Sequence, residues 1–428
     1  MMVLIAVIAG WSFAEGVEEE STEVTELVLA IEIDRDVHLG MGDTVVSWYR
    51  DIVAKEFTER TGIDIKIVLG TKDNQPTPLK ARINAGHTPN VYTDYAGRVG
   101  LFSPLALPLN EYLPKTAIDP FYESYIKAFT WDGKLTALPT TSWVTTGHVN
   151  LDAFEEAGMG DVLDDGYITY DEVYRAATEL KAAGYFAAPI FAAGTGGGDY
   201  WVLTYWFSGF GARLYDNDGN IALNSPEGLE ALTTMKQWYD EGLIPFGAAG
   251  LGVGDFINQI NTGKMITYSF PFEPAGKRDW TDIHTTTPRV EGVVNVPAAA
   301  GIDSVMAFDV GSEAEKRAAA QFALHIASRR YQDIYIRDGR FPSMYGVALP
   351  ADVLPNFAIT FRNFEANGVL DMGIGTLWYG SVRLEWMAML QAIFAEELTV
   401  EEALDRFEKN ATAMIIEGKA DPLRFLAE

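Results

Sequence analysis

Residues 27 to 67 constrain the fold of this chain more than any other stretch. Leu27 to Ile33 is an apolar run rich in β-branched residues, as a buried strand requires. From Val45 to Phe57, apolar residues at 45, 49, 52, 53 and 57 mark one face of a helix, and Thr61-Gly62 stops it. Ile63-Asp64-Ile65-Lys66-Ile67 then alternates as a half-buried strand does. Strand, helix and strand at this length form a βαβ unit, so the strands pair in parallel through a right-handed crossover. The predicted class is α/β.

The same alternation continues to the end of the chain. Thr169 with Glu172, Ser312 with Glu315, and Thr399 with Glu402 each fit a capping box. Ser225-Pro226 opens a helix that carries Leu229, Leu232, Met235 and Trp238 and stops at Gly242. Strands are predicted at Lys264–Phe270 and Val293–Val296. No internal repeat is present. At 428 residues and 48% apolar content, the chain exceeds one ordinary core and predicts two lobes. Their junction is legible. Trp131-Asp132-Gly133-Lys134 predicts a tight turn, Leu135 to Leu138 a short strand stopped by Pro139, then a second strand, and Asn150-Leu151-Asp152 the opening of a helix.

Sixty acidic against 32 basic residues give a formal charge of −28. A field of that sign repels phosphate backbones and anionic lipid, so nucleic acid is not an expected partner. Met1 to Ala14 has the apolar run and small-x-small end of a signal peptide, followed by a flexible acidic leader at 15–26. The missing basic region points to a true start methionine upstream. With no cysteine there is neither a disulfide nor a lipid-modified cysteine, so a periplasmic or extracellular, non-lipoprotein product is expected.

Several phrases recur together in a fixed order: Phe57-Thr58-Glu59-Arg60-Thr61-Gly62-Ile63; Ile83-Asn84-Ala85-Gly86 with Pro89-Asn90-Val91; the junction 131–158; and Thr169-Tyr170-Asp171-Glu172. Ser225 to Leu232, Tyr239-Asp240-Glu241-Gly242-Leu243 and Thr399 to Leu404 complete the set. In this order over residues 27–410, the chain resembles the family-1 extracellular solute-binding proteins, the group that includes maltose- and other oligosaccharide-binding proteins. The resemblance implies a two-lobed periplasmic-binding fold of class II, each lobe a doubly wound sheet flanked by helices. It implies an N-terminal lobe of 27–141 and 298–343 and a C-terminal lobe of 142–297 and 344–428. A carbohydrate would lie in the cleft between them and pass to two permease subunits of an ABC importer, with the binding protein a monomer and not an enzyme.

Sugars present hydroxyl rims and apolar C–H faces, so their sites combine flat aromatics with charged or amide groups. Carried over residue by residue, the family pattern places Arg98 in the cleft; the family's adjacent carboxylate is Gly97 here, with Asp94 as the nearby substitute. Trp143 stands where the maltose type has a glutamate, which points away from maltose itself. Gly194 to Gly198 leads into Tyr200 and Trp201, and no Lys-Ser or Lys-Thr follows to make a phosphate loop. Phe272 replaces a stacking tryptophan. Trp378-Tyr379 and Arg383 match a Trp-Tyr…Val-Arg element with one extra residue. Trp48 reaches either the cleft or the helix packing. Tyr205, Trp206 and Trp238 are read as core.

Residues 161–172 have EF-hand spacing, with Asp161, Asp165 and Glu172 as ligands and Leu163 where an oxygen belongs. A weak calcium site and a plain helix cap both explain them. An Asp-Gly hairpin turn accounts for Asp216 to Asn220, and the five histidines show no zinc spacing. Two alternatives stay open: a binder of a polyamine, peptide or metal chelate, and a secreted carbohydrate-active enzyme, which would need two carboxylates across a scissile bond.

Overall fold

The computed structural model describes residues 23–31, 44–71, 76–94, 98–162, 164, 166–193, 202–271, 282–284, 288–294, 296, 299–336, 340–349, 355–370 and 372–427. The signal-peptide stretch and residues 15–22 of the acidic leader lie outside them. Strand β1, Glu26–Ile31, runs parallel to β2, Asp64–Leu69, with Glu26 opposite Asp64 and Ile31 opposite Leu69. Ile33, the predicted end of the first strand, lies outside the described residues. Between the strands, residues 45–61 form one helix in three pieces: Val45–Trp48, a π-helical stretch Tyr49–Ala54, and Lys55–Thr61. Gly62 ends it at φ 76°, the left-handed conformation that glycine adopts without strain. The π stretch was not legible in a 3.6-residue periodicity; such bulges gather at functional sites.

Strand β3, Val91–Asp94, adds parallel to β1. Next come the hairpin β4, Thr130–Trp131, with β5, Lys134–Leu135, and then the long β6, Leu138–Asn150. Asp132 and Gly133 both have positive φ, 49° and 74°, as a type I′ turn demands. The remaining strands are β7, Thr267–Pro271, β8, Asp282–His284, β9, Ala299–Ala307, and β10, Phe341–Pro342. The first sheet has the order β10-β6-β9-β3-β1-β2, with β9 antiparallel to both β3 and β6. Strand β6 changes partners along its length. Through Val144 it pairs with β9, and from Thr145 onward with β7, joined near its end by β8.

Three sequence expectations need correction. Pro139 does not stop a strand; β6 begins at Leu138 and runs through it. The proline sits where the ladder slips between Pro139 and Thr141, and its carbonyl accepts from Ser343 Oγ at 2.9 Å. Among the described residues, the segment predicted as strand at Val293–Val296 forms none. Gly292 turns the backbone at φ 83°, Val293 N donates locally to Val290 O at 3.0 Å, and Val294 is exposed. The strand predicted from Lys264 begins at Thr267.

Where side chains satisfy backbone donors, the structure follows the sequence closely. Capping boxes form at Thr169, Ser312 and Thr399, and Asn150 and Ser225 cap their helices through Ala153 N and Gly228 N. Tyr205, Trp206 and Trp238 are core, as read. Tyr170 stacks on Trp206 at 5.6 Å and on Phe210 at 4.4 Å, and its hydroxyl donates to the Tyr205 carbonyl. Trp206 meets Trp238 edge-on at 4.9 Å. A second aromatic cluster joins helix Pro355–Asn367 to the first sheet, with Phe364 against Tyr122, Tyr125 and Phe341.

Candidate functional site

Open α/β sheets place their sites at the carboxyl ends of parallel strands. At that end of β3 lies a hollow whose walls come from six separate parts of the chain. The first turn of helix 45–61, capped by Thr44, presents Val45, Trp48 and Tyr49 on one face. Strand β3 ends in Thr93 and Asp94, β6 contributes Thr140, and β9 contributes Asp303. Tyr335 closes helix Arg329–Tyr335, and Arg340 stands just ahead of β10.

Two ion pairs dominate. Arg98 Nη2 lies 2.9 Å from Asp94 Oδ1, four residues back in the chain, and Tyr92 donates its hydroxyl to Asp94 Oδ2. Arg340 Nη1 donates to Asp303 Oδ2 at 2.5 Å, and Thr141 Oγ1 donates to the same oxygen at 3.0 Å. Tyr49 Oη and Thr93 Oγ1 share a hydrogen bond of 3.1 Å, and Thr93 Oγ1 also donates to the Ser304 carbonyl. Trp48 Nε1 donates to Tyr335 Oη at 3.3 Å. Burial raises the Tyr335 phenol above its ordinary pKa, against the lowering effect of that bond, so it stays neutral.

Asp94, Asp303 and Arg340 expose only 2%, 7% and 6% of their surface. Taking an ion from water costs several kcal/mol even after relaxation, about as much as its partner returns. Apolar residues of similar volume would hold the sheet at least as well. Stability alone is therefore a weak explanation for burying these charges.

Of the residues singled out in the sequence, Trp48 and Asp94 line this hollow, and Arg98 is tied to it through Asp94. Asp94 is the carboxylate that pairs with Arg98. Trp378 caps helix Tyr379–Phe394 and is buried; its Nε1 makes no hydrogen bond among the described residues, and the Lys419 ammonium lies 5.9 Å from its ring. Arg383, one turn on, lies 6.0 Å from the Tyr379 ring. The loop before Trp378 meets the segment after Arg98 so closely that a Cβ on Gly100 would stand 2.4 Å from the Gly375 carbonyl. Trp143 pairs through its backbone with Gly301. Tyr200, Trp201 and Phe272 lie outside the described residues.

Glu172 serves as a helix cap, its Oε2 accepting from Thr169 N at 2.8 Å and Oγ1 at 2.7 Å. Asp165 lies outside the described residues, and among those described no group of three or more His, Asp or Glu residues is placed to hold a metal. Asp216 closes its turn by accepting from Asp218 N and Asn220 N, both at 2.9 Å. Sequence reasoning missed Asp303, Arg340, Tyr335, Tyr49 and Thr93. Asp303 carried a signal, as the single charge within the otherwise uncharged Ala299–Ala307. Arg340 carried none, because the loop before β10 has no periodicity.

Residues 53–358 match the family described as bacterial extracellular solute-binding protein. Among curated proteins, none matches this sequence. The cyclic alpha-maltosyl-1,6-maltose binding protein from Arthrobacter globiformis superposes with a TM-score of 0.74 at 19% identity, covering 92% of this chain and 100% of that one. An ABC substrate-binding protein from Listeria monocytogenes in complex with cycloalternan gives 0.68 at 15% identity, covering 92% and 99%. A family 1 extracellular solute-binding protein from Bifidobacterium longum subsp. infantis gives 0.70 at 15%, covering 91% and 99%. At such identities the likeness establishes the fold, a two-lobed α/β architecture.

Proposed function

Because this chain belongs to the bacterial extracellular solute-binding proteins, we propose that it captures a carbohydrate, an oligosaccharide, between two lobes and hands it to an ABC importer. The hollow at the end of β3 carries the reading: aromatic edges beside paired charges are what a hydroxylated ring requires. Structural relatives whose ligands are cycloalternan and cyclic maltosyl-maltose support it. Trp48, Asp94 and Arg98 form one wall of the ligand site, and Trp378, Arg383, Trp143, Phe272, Tyr200 and Trp201 supply the facing contacts.

The lobes are 27–141 with 298–343 and 142–297 with 344–428. The partner change of β6 between Val144 and Thr145 supports the first boundary, while the packing of helix 355–367 on Phe341 argues for moving the third one downstream. The protein is a monomer without catalytic activity or a bound cofactor, exported to the periplasm or beyond. Its charge of −28 supports the absence of nucleic acid among its partners.

Thermal unfolding against neutral mono- and oligosaccharides, with spermidine as the contrasting solute, tests the proposal. A ligand at 100 times its Kd adds about 2.7 kcal/mol. Stabilisation by a sugar class is expected; stabilisation by spermidine alone would replace the sugar with a polyamine.

A further inference from the structure

Resting on the carbohydrate reading, we infer that the hollow is a terminal subsite for an uncharged sugar, and that Asp303 sets that preference. The cavity measures about 30 Å³, above the roughly 10–15 Å³ that a single water needs. It has room for a hydroxyl or hydroxymethyl group at the edge of a sugar. Of the two oxygens of Asp303, Oδ2 is engaged by Thr141 and Arg340. The other, Oδ1, is buried with no hydrogen-bond partner among the described residues. A buried acceptor without a donor is costly, and a sugar hydroxyl supplies the donor.

The charges decide the class of ligand. Arg340 is paired with Asp303 and Arg98 with Asp94, so these four described side chains together carry no net charge. A sugar acid would bring a second carboxylate against Asp303. A polyamine would find both carboxylates already held by guanidinium groups. A hydroxyl donates its proton to Oδ1 and adds no charge.

Isothermal titration of the full chain with glucose, galactose, mannose, maltose and cellobiose, each beside the matching uronic acid or aldobiouronic acid, tests this. The expected result is a neutral sugar that binds at least tenfold more tightly than its acid. Asp303→Asn should weaken the neutral sugar about tenfold and shrink the neutral-to-acid ratio, because Arg340 loses its countercharge. A purely structural Asp303 would leave that ratio unchanged, which would overturn the assignment. Equal or tighter binding of the acid by the unmutated protein would also overturn it while leaving the carbohydrate reading intact. Failure of every sugar and sugar acid would overturn both. If the variant does not fold, the series on the unmutated chain decides alone.

Discussion

The hollow at the end of β3 and the aromatic nest around Tyr170 are buried to the same degree, yet they bury opposite chemistries. In the nest, Tyr170, Trp206 and Trp238 remove large apolar surfaces from water. Each such side chain returns about 1.5–3 kcal/mol, and each ring pair about 0.5–1.5 kcal/mol more. Stability alone accounts for that region. The hollow buries Asp94, Asp303 and Arg340, where desolvation consumes about what the pairing returns. Buried surface is therefore a poor guide to function on its own; the chemistry buried is the better one.

The widest effect should come from the nest. Trp206→Ala should cost about 3–5 kcal/mol in urea unfolding, while the molecules still folded bind sugar as before. Altered affinity in that variant would join the two regions that the comparison separates. Asp303→Ala leaves the Arg340 guanidinium uncompensated and should cost about 3 kcal/mol, together with ligand affinity. Thr399→Ala removes a cap far from both regions and should cost about 1 kcal/mol with binding untouched.

The smallest expected effect is a pH dependence on the hollow's side of the molecule. Burial lowers the pKa of His325, whose Nε2 lies 3.1 Å from the Val53 carbonyl and 3.0 Å from Tyr331 Oη. Below the ordinary value of about 6.5, the unfolded chain takes up a proton that the folded chain refuses until its own lower pKa is reached. Stability should thus be full above that value and fall as the pH drops towards 5. His325→Gln should flatten the slope in urea titrations across this range. Glu56, whose pKa Arg330 lowers, adds its own loss only at more acidic pH.

The parts of the fold legible in the sequence are those fixed by local chemistry. Caps at Thr169, Ser312 and Thr399, the Asp132-Gly133 turn and the stop at Gly62 depend on neighbours a few residues away. The site was half legible. Arg98 and Asp94 were reached through the family resemblance, and Trp48 through its place near the first βα connection. Asp303 and Arg340 meet Thr141 only because β9 and β10 flank β6, and that adjacency joins residues more than 150 positions apart. The π turn at Tyr49 was invisible because a single widened turn leaves most of a helical stripe unchanged.

The most direct test of the central claim is the affinity of the double variant Asp303→Leu/Arg340→Met for the sugar that stabilises the unmutated protein, measured beside its unfolding free energy. Removing both charges with little change in volume should leave stability equal or higher and abolish tight binding. Loss of stability with binding intact would show that the pair holds the sheet together and that the ligand lies elsewhere.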